Sequence, residues 1–222
     1  MARQRSVFDI IGPVMIGPSS SHTAGAVRLG ALARAVFGRQ PTVARILLHG
    51  SFASTGGGHG TDLALVAGLL GMAPDDARIP DAFLEAERAG LVFSFDEADL
   101  GDVHPNTAEF HLEGDGRTMQ VRGSSLGGGD VVVTDIDGFE VDISGELPVL
   151  VVAHYDQPGE IAAVTSAIAE GGGNVASMQV SRERKGARAL MLIETDTEVD
   201  EATAERIRQN PGVTGVRKVP SV

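Results

Sequence analysis

Residues 15–30 read MIGPSSSHTAGAVRLG and place Ser19, Ser20, Ser21, His22 and Thr23 in one unbroken polar run. An apolar-periodic segment follows directly, so the run sits at a helix start. A Ser or Thr there satisfies backbone N–H groups that have no intrahelical partner, and one such residue suffices. Five polar side chains exceed that need. A helix start also offers free N–H groups and a partial positive charge, which favour a carboxylate or a phosphate. Two chemistries stay open at this point, a plain cap and a wall that receives an anionic ligand.

A second group is HGSFASTGGGHGTD, residues 49–62. Three consecutive glycines let the backbone pass close to a ligand or bend through positive φ, and His59 then stands at the opening of the next helix. No Lys follows the glycines, so the segment is not a P-loop. The competing reading is a strand-to-helix turn with an exposed histidine. Of its two histidines, His59 is the better placed for chemistry, because His49 ends an apolar strand and is expected to be packed and hydrogen-bonded. In DVHPNTAEF, residues 102–110, Asn106 and Thr107 follow a Pro turn, a pattern that alone equals a turn cap. SSLGGGD, residues 124–130, is glycine-rich with no chemistry of its own. No histidine pair has metal-ligand spacing, FDEAD at 95–99 is expected to be a solvated turn, and no metal ligands are assigned.

The elements that must position these residues follow from periodicity. Leu29, Leu32, Ala33 and Val36 mark one helical face that ends near Gly38. A buried strand is expected over 42–51, a helix over 61–71 starting at Thr61 or Asp62, and a short helix over 81–89. Strands near 91–95, 107–113, 117–123 and 130–136 complete an α+β first domain. A boundary in ISGELP, residues 143–148, divides the chain into domains 1–146 and 147–222. The second reads strand, helix, strand, strand, helix, strand, the order of a ferredoxin-like βαββαβ sheet with helices on one side. Its first helix is expected over 158–170, with Ile161, Val164 and Ile168 on one face, Pro158 in the first turn and GGG ending it.

Composition narrows the partners. With 42% hydrophobic and 22% charged residues in 222, the chain can bury a real core. A net charge of −12 and only 4% aromatics argue against nucleic acid, whose phosphates this surface would repel. There is no cysteine, so the chain forms neither disulfides nor thiolate metal ligands. Asp9 and Pro13 interrupt the apolar run that a secretory signal needs, and LALVAGLLGMA at 63–73 is too short to span a bilayer. A cytoplasmic protein with no membrane partner is expected.

GPSSSHTAG, LHGSFASTGGGHGTD, HPNT and GGG, in this order and ahead of the C-terminal module, resemble the β chain of bacterial iron–sulfur-dependent L-serine dehydratase, also called L-serine ammonia-lyase. The resemblance covers essentially the whole chain. It implies conversion of L-serine to pyruvate and ammonia without pyridoxal phosphate, by loss of the Cα proton and of hydroxide to aminoacrylate, which then hydrolyses. It further implies a 4Fe-4S cluster held by cysteines of a partner α chain, one iron acting as a Lewis acid on the serine hydroxyl, and hence a hetero-oligomer. Carried over, Ser19, Ser20, Ser21, His22 and Thr23 line the active-site wall this chain contributes. His22 and His59 are the acid/base candidates, with Gly60, Thr61, Asp62, Asn106 and Thr107 in support.

The first domain also resembles the allosteric substrate-binding domain of some phosphoglycerate dehydrogenases, which implies an alternative: a non-catalytic, amino-acid-sensing regulatory subunit. The C-terminal module resembles an ACT domain, on HYDQPGEIAAVTSAI followed by GGGNVASMQV. In the serine-sensing relatives, a ligand is held from a H-x-N-x-P-G turn and a second Asn, which places His154, Asp156 and Asn174 as an allosteric ligand set. Asp156 departs from the pattern, where Asn is usual; a carboxylate still accepts from a ligand ammonium. Assembly of subunits is the competing role for this module.

Overall fold

A computed structural model describes residues 14–221, so most of the N-terminal stretch read for a secretory signal lies outside the described residues. The chain forms two compact units that divide at Asp137/Gly138. In the first, a π-helical turn, Ser20–Ala24, runs without a break into α1 (Gly25–Phe37). There follow β1 (Val43–Leu48), α2 (Gly50–His59), α3 (Thr61–Leu69), a 3-10 turn (Ile79–Asp81) and α4 (Ala82–Ala89). Strands β2 (Val92–Glu97), β3 (Thr107–Gly114), β4 (Arg117–Gly127) and β5 (Asp130–Ile136) come next, and β6 (Phe139–Ile143) lies past the division. Within the unit the sheet order is β2-β1-β3-β4-β5, with β1 parallel to β2 and antiparallel to β3.

The helical face expected for α1 is the buried one: Leu29, Leu32, Ala33 and Val36 are all fully enclosed. Gly38 ends the helix in the left-handed region, its N–H bonded to Arg34 O. The core face of the sheet alternates as a half-covered sheet must, with Ala44 and Ile46 on β1 and Ala108, Phe110 and Leu112 on β3. α1 and α3 meet backbone to backbone. A Cβ at Gly30 would lie 2.3 Å from Leu65 O, and one at Gly68 would lie 2.1 Å from Val27 O. Only glycine fits at this crossing, and it brings the starts of the two helices to the same end of the unit.

Three local expectations are corrected. The glycine segment is not a turn: residues 50–59 form α2. Gly50, at φ 56, makes the sharp bend out of β1, and Phe52 is fully buried behind it, so chain reversal is already complete before the glycines are reached. α3 begins with Thr61, but its N-cap is Gly60 and no side chain caps it. FDEAD is not wholly turn either, because β2 continues through Glu97 and Asp96 pairs with Arg45 at 2.8 Å.

The second unit contains β7 (Val149–Tyr155), α5 (Glu160–Glu170), β8 (Val175–Arg182), β9 (Arg188–Thr195), α6 (Glu201–Arg208) and β10 (Val213–Val219). Its antiparallel sheet has the order β10-β7-β9-β8, the ferredoxin-like arrangement expected. Leu150 and Val152 of β7, Met191 and Ile193 of β9, and Val216 of β10 form one core with Val164, Ala167 and Ile168 of α5 and Ala204 and Ile207 of α6. Ile161 does not join that face and is 43% exposed. The helix starts only at Glu160, and its buried stripe runs Glu160, Val164, Ala167, Ile168. Among the described residues, no helix is long and apolar enough to cross a membrane.

Candidate functional site

The serine run forms the π-helical turn, which packs against α2, α3 and β4. Ser19 caps it, its Oγ accepting from His22 N at 3.1 Å. At the other end Gly25 N–H reaches back to Ser20 O, the five-residue spacing that widens the turn. A second wall is built by β1 and the HPNT turn. Ser51 N donates to Pro105 O at 2.8 Å, and His49 N donates to Thr107 O at 3.0 Å. A Cβ at Gly50 would lie 2.7 Å from Pro105 O, so the start of α2 is pressed onto that turn.

His22 is gripped on both ring nitrogens. Nδ1 lies 3.0 Å from Ser21 Oγ, and Nε2 lies 3.0 Å from Ser51 Oγ. Its ring meets Phe52 edge to face at 5.4 Å and stands 5.2 Å from the ring of His59. Burial holds the His22 pKa below the ordinary imidazole value and the neighbouring His59 pushes the same way, while a backbone hydrogen bond at Ser51 opposes them. Both leading causes favour the neutral ring. His59 differs in kind: it is exposed, and its Nδ1 lies 3.2 Å from Thr55 O. A carbonyl only accepts, so Nδ1 carries the proton and Nε2 of the neutral ring keeps a free lone pair.

The supporting residues divide. Thr23 and Thr61 are buried, and their hydroxyls have no partner; Ser125 of β4 is in the same state. Ser125 Oγ lies against Gly25, where a Cβ would come within 2.0 Å of it. Asn106 joins this side, its Nδ2 at 3.5 Å from Ser125 O and its main-chain O accepting from Ser125 N at 3.0 Å. Thr107 is fully enclosed and satisfied, donating to His104 O at 2.6 Å with Ser124 Oγ at 2.7 Å, which suits fixing the HPNT turn. Asp62 accepts from Leu63 N at 2.9 Å at the start of α3, next to the capping Gly60. Sequence reasoning missed Ser51, Phe52 and Ser125. Ser51 lies inside HGSFASTGGGHGTD, where its type and spacing mark no chemistry; its signal is its place just past Gly50.

In the second unit His154 is buried, Nδ1 bonded to Tyr155 O at 2.8 Å and Nε2 without a partner. Asp156 Oδ2 accepts from Gly186 N at 3.0 Å and from Arg182 Nη1 at 2.9 Å, and these two bonds lower its pKa. Asn174 Nδ2 donates to Asp196 Oδ2 at 2.7 Å. His154 and Asp156 stand at the end of β7 that pairs with Ala189 and Arg188, whereas Asn174 precedes β8 at the opposite end of the sheet, where Val175 pairs with Thr195, so the unit does not bring the three together.

Comparison with known proteins follows the same division. Residues 6–89 match the family model of the serine dehydratase β chain, and residues 149–212 match that of the ACT domain. A probable L-serine dehydratase β chain of Bacillus subtilis is 44% identical over 98% of this chain and 99% of its own length. The L-serine dehydratase β chain of Peptoniphilus asaccharolyticus is 36% identical, over 91% and 92%. A D-3-phosphoglycerate dehydrogenase of Methanocaldococcus jannaschii is 31% identical over 52% of this chain and 22% of its own length.

Proposed function

The chain belongs to the family of L-serine dehydratase β chains, and on that premise we propose that it completes, with an α chain, a site that deaminates L-serine to pyruvate and ammonia. In this reading the domain 1–146 supplies the catalytic wall, and the ACT domain 147–222 responds to an amino acid through His154, Asp156 and Asn174. The pair is cytoplasmic.

The family resemblance implies a 4Fe-4S cluster, and this chain's residues do not fit one. It has no cysteine, and among the described residues no three His, Cys, Asp or Glu side chains converge as a ligand group. In this reading the cluster falls to the cysteines of the α chain. Pyridoxal phosphate has no part in the reading.

The observation that supports it best is the contrast between the two histidines. His22 has a hydroxyl at each ring nitrogen, whereas His59, its ring 5.2 Å away, has a carbonyl at Nδ1, so that Nε2 is the acceptor nitrogen of the neutral ring. His59 Nε2 is accordingly the acceptor of the substrate's Cα proton, and His22 orients the site. In this reading the hydroxyls of Ser19, Ser20, Ser21 and Thr23, at the start of the π-helical turn, receive the carboxylate, with the unpartnered Thr61 hydroxyl in support. Gly60, Asp62, Asn106 and Thr107 hold the surrounding turns.

Anaerobic pyruvate formation tests this with the chain alone, the α chain alone and the two mixed. Activity is expected only in the mixture. His59→Ala should lower kcat by about 100-fold or more with assembly intact, the scale of a lost general base. The phosphoglycerate dehydrogenase match favours a second reading, a regulatory subunit that senses an amino acid. Full activity of the α chain alone, with His59→Ala shifting only the concentration dependence, would establish that one instead.

A further inference from the structure

Ser51 lies within HGSFASTGGGHGTD without being marked there by its type or spacing, yet its hydroxyl reaches a ring nitrogen of His22 from α2. Its backbone is fixed from three directions. Gly50 bends the chain at φ 56, Ser51 N is bonded to Pro105 O at 2.8 Å, and Ser51 O accepts from Thr55 Oγ1 at 2.7 Å. The hydroxyl therefore arrives at His22 Nε2, 3.0 Å away, on a rigid support. From the other side Ser21 Oγ reaches Nδ1 at 3.0 Å and is itself 3.3 Å from Ser19 Oγ. A chain of four groups, Ser19, Ser21, His22 and Ser51, thus closes across the gap between the π-helical turn and α2.

A neutral imidazole has one donor nitrogen and one acceptor nitrogen, and a hydroxyl can serve either. With a hydroxyl on each, the His22 ring has no bare nitrogen to offer a substrate. It is also set in rotation, edge to face on Phe52 and 5.2 Å from His59. We propose that Ser51 is a positioning residue of the serine-deaminating site, its hydroxyl locking the His22 ring in place so that proton acceptance falls to His59 alone. This rests on the reading that the paired chains act on serine. The group that orients the site histidine His22 is a hydroxyl here, where a carboxylate or a carbonyl commonly serves.

The test uses Ser51→Ala and Ser51→Thr in the full-length chain. NMR of the imidazole nitrogens, read without serine or the α chain, should show the His22 Nε2 resonance shifted in Ser51→Ala and restored in Ser51→Thr. In the mixed enzyme Ser51→Ala should lower kcat about 10-fold, the lower end of what orienting partners contribute, with KM for serine little changed. Ser51→Thr should return most of that rate. An unshifted His22 spectrum in Ser51→Ala overturns the proposal. So does an unchanged kcat, an effect confined to KM, or a loss that Ser51→Thr does not repair. A mixture inactive on serine even with wild-type Ser51 removes the underlying reading instead, while the spectrum still decides whether Ser51 holds the ring.

Discussion

Replacing Gly68 with Ala should be among the most damaging single-methyl changes this chain can undergo. In an exposed helix the change would stabilise, because Ala is better than Gly in a helix interior by about 1 kcal/mol. Here the added Cβ would sit 2.1 Å from Val27 O, 2.7 Å from Ala31 N and 2.9 Å from Gly30 Cα. All three are backbone atoms of α1, so no rotamer change can relieve the contact. The helices must part by roughly 1 Å, and a gap of that size forfeits a quarter to a half of the dispersion energy of each contact it opens. Overpacking of this kind costs about 3 kcal/mol, and subtracting the propensity gain leaves a net loss of about 2 kcal/mol. For a chain of this size that lowers Tm by about 4–8 °C. Thermal unfolding, with amide exchange reading α1 and α3, measures it. Gly58→Ala is the internal control, since nothing lies within 4 Å of that position and the helix-propensity gain should appear undiminished. A Gly68→Ala protein as stable as wild type would refute the backbone-to-backbone crossing. The parted helices begin at the candidate site, so turnover by the paired enzyme should fall along with stability.

Two other outcomes are expected. Thr61→Val removes a fully buried hydroxyl that has no partner, so it should raise stability by about 1 kcal/mol while raising KM for serine in the paired enzyme. Denaturation and kinetics on the same preparation check both, and a less stable variant would contradict the account of that hydroxyl. In the second unit, ion pairs to Lys218 and Arg208 lower the Glu201 pKa from 4.5 to about 2. A carboxyl with a depressed folded pKa binds its proton more weakly than in the unfolded chain. Its stabilisation is therefore complete above pH 4.5 and is lost as pH falls toward about 2. Thermal scans across that interval should show a shallower loss in Glu201→Gln, and identical slopes in both proteins would count against the network.

Regular elements were legible wherever one periodicity dominated. α1 carries an unbroken apolar face, and the C-terminal module alternates strands and helices with Gly and Asp at the joints. Legibility failed where a tertiary contact overrode the local signal. The three glycines look like a turn, but the reversal they suggest is made earlier, by Gly50 against Pro105. Thr61 looks like a helix cap, yet Gly60 takes that place in the left-handed region and leaves Thr61 enclosed. Ile161 satisfies the helical spacing but falls in the first turn, outside the buried stripe. At the site, the Ser19–Ser21–His22 cluster was visible because its members are neighbours in sequence. Ser51 was not, since it meets His22 across 29 residues and only the folded chain brings them together.

The π-helical turn carries one residue more than an α-helical path of the same rise. Each residue of an α-helix turns the chain by about 100° and advances it by about 1.5 Å. Removing a single residue between Ser20 and Ala24 would let the turn relax into regular helix, continuous with α1. With Thr23 as the residue removed, the core face of α1 would keep its register, since it lies downstream, but Ser19, Ser21 and His22 would swing together to another side of the axis and His22 would leave Ser51. The proposed active-site wall is thus separable from the fold that carries it by one codon. Such a deletion should yield a folded, assembling chain without catalytic geometry, an inexpensive route by which a chain of this architecture could pass between catalyst and binding module.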